Sequence, residues 1–225
     1  MKELRELLTS RGAALVGCAD LSALAPELRA GLPRAVSVAV ALDPGIVAGI
    51  AGGPTPEYLE HYKAKNALLD ELSAAAARLL ESRGARAVAL SATNGGTLVS
   101  LPHKTAATRA GLGWIGKCAL LVTESHGSAV RLTTVLTDAA LDPGRPVDAS
   151  RCGDCAECQS ACPGGAVSGA NWRLGMSREE LFSEAACREG IRRASAGRGL
   201  DRLVCGMCVA ACPWTRRYLR RGRKA

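Results

Sequence analysis

Apolar positions in the first part of the chain follow two periods. Leu4, Leu7 and Leu8 share one face of a short amphipathic helix over residues 2–10. Ala13–Cys18 and Ala35–Leu42 (AVSVAVAL) read as strands, the second the clearer, and Asp43-Pro44-Gly45 breaks it. A loop follows at Gly52-Gly53-Pro54-Thr55-Pro56, and a long helix runs from about Pro56, a favoured first-turn residue, to Arg83, stopped by Gly84. Its run of alanines lets a neighbouring backbone approach closely. Arg86–Ala92 predicts a strand, Thr93–Thr97 a loop, and His103–Ala110 a helix. After the glycine-rich stretch 111–116, Ala119–Thr123 and Val130–Leu136 predict two strands joined at Ser125-His126-Gly127-Ser128. Asp142-Pro143-Gly144-Arg145-Pro146 has the composition of a linker. The expected organisation is α+β, with an α/β cofactor-binding domain over residues 1–147 and a cysteine-rich, ferredoxin-like domain over 148–225.

Ten cysteines change the picture, because eight lie in a pattern. The first run is Cys152-x-x-Cys155-x-x-Cys158-x-x-x-Cys162-Pro163; the second is Cys205-x-x-Cys208-x-x-x-Cys212-Pro213, with Cys187 between them. This is bacterial ferredoxin spacing, in which three thiolates hold one 4Fe–4S cube and the fourth serves the other. Two-residue gaps let three sulfurs converge from a tight turn, while the proline redirects the chain. The spacing assigns Cys152, Cys155, Cys158 and Cys212 to one cube, and Cys162, Cys187, Cys205 and Cys208 to the other. Structural zinc would use two C-x-x-C knuckles and does not account for the twice-repeated three-residue gap before proline. Disulfides would require an oxidising compartment, and the opening MKELRELLTSRG has no apolar signal core.

Composition adds limits. Of 225 residues 48% are hydrophobic but only 3% aromatic, so the expected core is rich in small residues. No run approaches the ~18 apolar residues of a membrane helix. A soluble, cytoplasmic protein with reduced thiols is expected. The formal charge of +8 falls when each cube with its four thiolates contributes about −2. The basic excess gathers at the end, in Arg216, Arg217, Arg220, Arg221, Arg223 and Lys224. Such a tail suits RNA, an acidic protein or an anionic surface, and equally a solvated helix terminus.

Gly111, Gly113 and Gly116 match G-x-G-x-x-G, but a dinucleotide site needs a strand before and a helix after; here the order is reversed. The glycines are read instead as a tight turn or a close approach to a flat cofactor. Around them, His103 and Lys104 are candidate proton donors or cofactor contacts, and Arg109 can fix an anionic group. Trp114 and Lys117 are candidate cofactor contacts. Tyr58, His61 and Tyr62 share a helix face, making Tyr62 a further candidate catalytic group. Cys18 and Cys118 stand outside the cluster pattern and are read as buried small hydrophobes, with Cys118 of more interest beside the glycine loop.

The run Ala110-Gly111-Leu112-Gly113-Trp114-Ile115-Gly116-Lys117, then Cys152-Gly153-Asp154-Cys155 and finally Cys212-Pro213-Trp214, resembles epoxyqueuosine reductase over residues 1–214. The resemblance implies a nitroreductase-like, cobalamin-binding domain followed by a two-cluster ferredoxin module. It also implies a path from reduced ferredoxin or flavodoxin through both cubes to the corrinoid, and tRNA as a partner. An FMN-dependent reductase is the alternative such a domain admits. Three departures are visible. The family's helical-repeat extension beyond the second cluster is not in this sequence, its substrate acid falls near Thr97, and its asparagine after Gly-Lys is Cys118. These favour a further alternative, an electron-transfer or corrinoid-activating partner without its own substrate.

Overall fold

The computed structural model describes residues 1–93, 101–200 and 204–222. In chain order the elements are α1 (Lys2–Ser10), β1 (Leu15–Asp20), β2 (Arg34–Ala41), α2 (Pro44–Gly49), α3 (Pro56–Glu81), β3 (Ala87–Leu90), α4 (His103–Arg109), β4 (Trp114–Ile115), β5 (Leu121–Val122), β6 (Val130–Thr137), α5 (Glu157–Ser160), α6 (Arg178–Leu181), α7 (Glu184–Ser195), α8 (Met207–Ala211) and α9 (Pro213–Gly222). The chain folds into two compact units, neither continuous in sequence. One takes Met1–Ala41, Ala64–Gly113 and Arg131–Val147; the other takes Leu42–Lys63, Trp114–Val130 and Asp148–Ala225. The seam at 147/148 read from composition is therefore one of several, and the cysteine-bearing unit also recruits residues 42–63 and 114–130.

The first unit is built on a four-stranded sheet of order β1-β2-β6-β3, with β1/β2 and β3/β6 antiparallel. Strand alternation sorts its two faces. Val36, Val38 and Val40 of β2 join Leu4 and Leu8 of α1 and Leu69, Leu72, Ala76 and Leu80 of α3 in one apolar cluster. Ala35 points the other way, packing with Ala106 and Ala110 around α4, Leu90 and Leu101. The alanine run of α3 meets the sheet as its small residues predict. The expected strand 86–92 shortens to β3 because Ala92 N–H is taken by the Asp70 carboxylate at 2.8 Å. Most of the expected loop 93–97, including Thr97, lies outside the described residues.

In the second unit, the break at Asp43 is the start of a helix. Its carboxylate accepts from Gly45 and Ile46 N–H at 2.8 and 3.1 Å, capping α2, and Pro44 fits the first turn. Leu42, Val47, Ile50, Tyr58 and Leu59 then pack with Ala129, Val209, Ala210 and Leu219 in one apolar cluster. The expected strand 119–123 contracts to β5 because Ala119 lies at φ +58, in the left-handed region. That turn folds β5 back on β4, pairing Trp114 with Val122 and Ile115 with Leu121. Among the described residues no helix is long and apolar enough to cross a membrane.

Candidate metal centres

The first cysteine run is shaped by short-range hydrogen bonds. Cys152 N–H donates to Ser150 Oγ at 3.2 Å, Cys155 N–H reaches back to the Cys152 carbonyl at 3.2 Å, and the single turn of α5 carries Cys158. Cys212, at the end of α8, joins them. Cys152, Cys155, Cys158 and Cys212 line one cavity of about 100 Å³, completed by Gly116, Lys117, Cys118, Val122, Pro213 and Trp214. The thiols stand around a space instead of closing on a point: among the described residues no three His, Cys, Asp or Glu side chains gather tightly enough for a single metal ion.

Burial pushes the Cys212 thiol up; the Trp214 and Thr215 N–H groups and the Thr215 hydroxyl, aimed at its sulfur, pull the other way. Such N–H donors at the start of α9 are what a ligating thiolate accepts from. Cys158 is raised above the ordinary thiol range by its hydrogen bond with Cys118 and by burial. A buried thiol holds its proton until something replaces it, and iron is such a replacement.

The second set is assembled by a backbone contact. Ser183 caps α7 and its N–H donates to the Ala166 carbonyl at 2.9 Å, fixing where the helix starts. One turn beyond Cys187, Gly190 meets the chain at Pro163-Gly164 so closely that an added Cβ would lie 2.5 Å from Gly164 N. Reciprocally, a Cβ on Gly164 would lie 2.1 Å from the Ala186 carbonyl oxygen. This approach brings Cys187 beside Cys162 and Cys205: burial, then the proximity of those two, raises its thiol. Cys162 Sγ accepts from Ala166 N–H at 3.3 Å, and Cys205 accepts from Met207 N–H while burial raises it. Cys162 and Cys208 pack together on a small apolar cluster of Cys118, Cys158 and Val167.

The other candidates separate between the units. Gly116 and Lys117 lie in the cysteine unit, both on the cavity wall; a Cβ on Gly116 would meet Val122 at 2.7 Å and Cys152 Sγ at 3.7 Å. Lys117 is buried there, and its proximity works slightly against the rise of the Cys158 thiol. Trp114, fully buried, stacks edge-on against Trp214 at 5.1 Å with the Arg151 guanidinium 5.5 Å over its ring. Among the described residues its Nε1–H has no hydrogen-bond partner. Tyr62 packs against the apolar cluster of the same unit, and His61 Nε2 accepts from Asp43 N–H at 2.9 Å.

His103, Lys104, Arg109, Gly111 and Gly113 belong to the sheet unit. His103 is buried with Nδ1 on the Thr134 hydroxyl at 2.9 Å and Nε2 on the Ser91 carbonyl at 3.0 Å; both nitrogens serve the fold, in a neutral ring whose pKa burial lowers. Lys104 sits on the first turn of α4. Arg109 donates to the Val147 carbonyl at 2.8 Å, and Gly111, at φ +73, abuts the Arg145 carbonyl, where a Cβ would come within 2.6 Å. Here the glycine serves a chain crossing. Trp214, which sequence showed only within the family resemblance, is on the wall, and so is Cys118, read as a buried small hydrophobe of more interest beside the glycine loop.

The family described as a 4Fe-4S double cluster binding domain matches residues 151–215, the segment that carries both cysteine runs and Cys187. Epoxyqueuosine reductase of Listeria monocytogenes serovar 1/2a (strain ATCC BAA-679 / EGD-e) is 33% identical over 116 residues, 49% of this chain but only 28% of that protein. In fold, a reductive dehalogenase structure described as suggesting a mechanism for B12-dependent dehalogenation is similar over 98% of this chain and 33% of its own, at a TM-score of 0.75 and 18% identity. An epoxyqueuosine reductase with an epoxyqueuosine-modified tRNA-Tyr stem loop is similar over 96% of this chain and 65% of its own, at a TM-score of 0.65 and 18% identity. The chain is thus similar to epoxyqueuosine reductase over about half of its own length, and the match spans less than a third of the curated relative's length.

Proposed function

We propose that the protein is an iron–sulfur reductase. Its two cubes, held by Cys152, Cys155, Cys158 and Cys212 and by Cys162, Cys187, Cys205 and Cys208, relay single electrons to a corrinoid bound by the α/β unit. The observation that carries this reading is the cavity shared by Cys152, Cys155, Cys158 and Cys212, gathered from two runs over fifty residues apart in sequence. The fold likeness to a structure described by B12-dependent chemistry supports the corrinoid, and the α/β unit that would bind it is read as nitroreductase-like. A bound corrinoid would supply a low-potential metal centre. The chain's part is to hold the cubes dry and close: Trp214 lines the cysteine cavity with Trp114 packed edge-on behind it, and buried Lys117 offsets the negative charge of the first cube.

Electrons enter from a reduced ferredoxin or flavodoxin. The exposed Arg220 and Arg221 of α9 offer such an acidic protein a basic face; Arg216 is paired with Glu157 at 3.0 Å and Arg217 lies 4.6 Å over Trp214. tRNA is the substrate class to test first, given the relative solved with a tRNA stem loop. The carboxylate such a reductase would use as proton donor aligns near Thr97, outside the described residues.

The test is an anaerobic titration of the cluster-loaded protein with cob(II)alamin, followed by the cobalt paramagnetic resonance signal, with FMN fluorescence in parallel. A stoichiometric change in the cobalt spectrum is expected. FMN quenching without any cobalt change makes it a flavoenzyme, and neither response leaves a two-cluster electron carrier; both overturn the corrinoid reading.

A further inference from the structure

Cys118 stands between the two cysteine sets. It is buried, it forms part of the wall of the cavity ringed by Cys152, Cys155, Cys158 and Cys212, and it packs in one small cluster with Cys158 and Cys208. Under the ligand assignment above, these two neighbours belong to different cubes. The backbone is bent to place it there. Ala119 occupies a left-handed conformation that residues with a side chain rarely adopt, closed by Ala119 N–H to the Gly116 carbonyl and Gly116 N–H to the Leu120 carbonyl, both at 2.8 Å. A thiol that ligates no iron keeps a single proton, which it can give to a neighbouring sulfur.

We propose that Cys118 is a non-ligating thiol that hydrogen-bonds the ligand sulfurs of Cys158 and Cys208 and couples the potentials of the two cubes. This rests on the two-cluster reading and adds a residue to it. An electron arriving on a cube increases negative charge on its ligand sulfurs, and a donor held against one of them stabilises the reduced form, making reduction easier. One proton serves one sulfur at a time, so donation to a reduced cube is withdrawn from its neighbour. Apolar Val167 and Phe182, packed with these cysteines, help keep out water that would replace or screen the bond.

The experiment uses the full chain with clusters reconstituted anaerobically, as wild type, Cys118→Ala and Cys118→Ser. Iron and acid-labile sulfide are counted, and reduction of each cube is followed by paramagnetic resonance against applied potential. Both variants are expected to keep the iron and sulfide of two cubes. Cys118→Ala is expected to shift the reduced-to-oxidised ratio of at least one cube about tenfold toward oxidised at fixed potential, which is ~59 mV for a one-electron couple. Cys118→Ser, whose hydroxyl donates more strongly than a thiol, is expected to shift it toward reduced. Unchanged titrations in Cys118→Ala with both cubes present would overturn the proposal. Loss of a cube's iron from both variants would overturn it too, by making Cys118 a ligand. Should Cys118→Ala not load, Cys118→Ser decides alone, and no shift in it refutes the coupling. Full iron content in Cys158→Ala and Cys208→Ala would mark the ligand assignment as the fault.

Discussion

Replacing Gly190 with alanine adds one methyl group at the contact that sets the second cysteine set. In an isolated helix the change would help, by about 1 kcal/mol. Here the added Cβ would sit 2.5 Å from Gly164 N, 2.6 Å from Gly164 Cα and 3.1 Å from the Pro163 carbonyl carbon, all backbone atoms that cannot swing aside. Ordinary carbon contact lies at roughly 3.5 Å, so α7 must move out by about 1 Å. Overpacking of this kind costs about 1–3 kcal/mol, which leaves a net loss of up to ~2 kcal/mol after the helix gain. The displacement matters more than the energy. Cys187 is one turn back on the same face of α7 and moves with it, away from Cys162 and Cys205. The assay is iron and sulfide content with paramagnetic resonance after anaerobic reconstitution. Gly190→Ala should lose most of one reduced-state signal while the cube of the 100 Å³ cavity survives. Arg188→Ala, which removes only an exposed ion pair with Glu184, should keep both. Two full cubes and wild-type stability in Gly190→Ala would refute the reasoning.

Four further outcomes are expected. Cys187→Ala should lose one cube and keep the other, read by iron count; an unchanged count would reject its ligand role. Gly127→Ala should cost about 3 kcal/mol in urea unfolding, because its Cβ at φ +58 would lie 2.1 Å from Thr215 N and disrupt the buried 3.0 Å bond from Ser128 N–H to Thr215 Oγ1. Ala119→Gly should stabilise the chain by about 1 kcal/mol by relieving φ +58, again by urea unfolding. His103, held neutral by burial, has a folded pKa below the unfolded value of 6.5, so its contribution is full above that value and lost as pH falls through the window below it. His103→Asn should flatten the fall in stability below pH 6.5 seen in acid titrations of the wild type.

The cysteine pattern was legible because cluster ligation is written in local spacing: turns of two residues and a proline exit are set by neighbours in sequence. The major elements α1, β1, β2, α3, α4 and β6 were legible from periodicity for the same reason. What sequence hid depends on distant contacts. Asp43-Pro44-Gly45 read as a break, and only the carboxylate's acceptance of two N–H groups makes it a cap for α2. The glycine loop read as a tight turn or a close approach to a flat cofactor. In the structure Gly111 closes on Arg145, while Gly116 and Lys117 line the cysteine cavity. His103 read as a candidate proton donor or cofactor contact, and only the fold shows Thr134 and Ser91 engaging both its nitrogens. Cys118 carried no pattern of its own; its significance comes from Cys158 and Cys208, forty and ninety residues further on.

The central claim is that two groups of four thiols, interleaved in sequence, each hold one cube. The most direct measurement compares Cys155→Ala and Cys187→Ala, reconstituted anaerobically and reduced, by iron and sulfide count with paramagnetic resonance. The account predicts that each variant keeps one cube's iron and sulfide, and that the surviving spectra differ and together reproduce the wild type. Loss of the same signal from both variants, or iron without matching sulfide in the wild type, would contradict it.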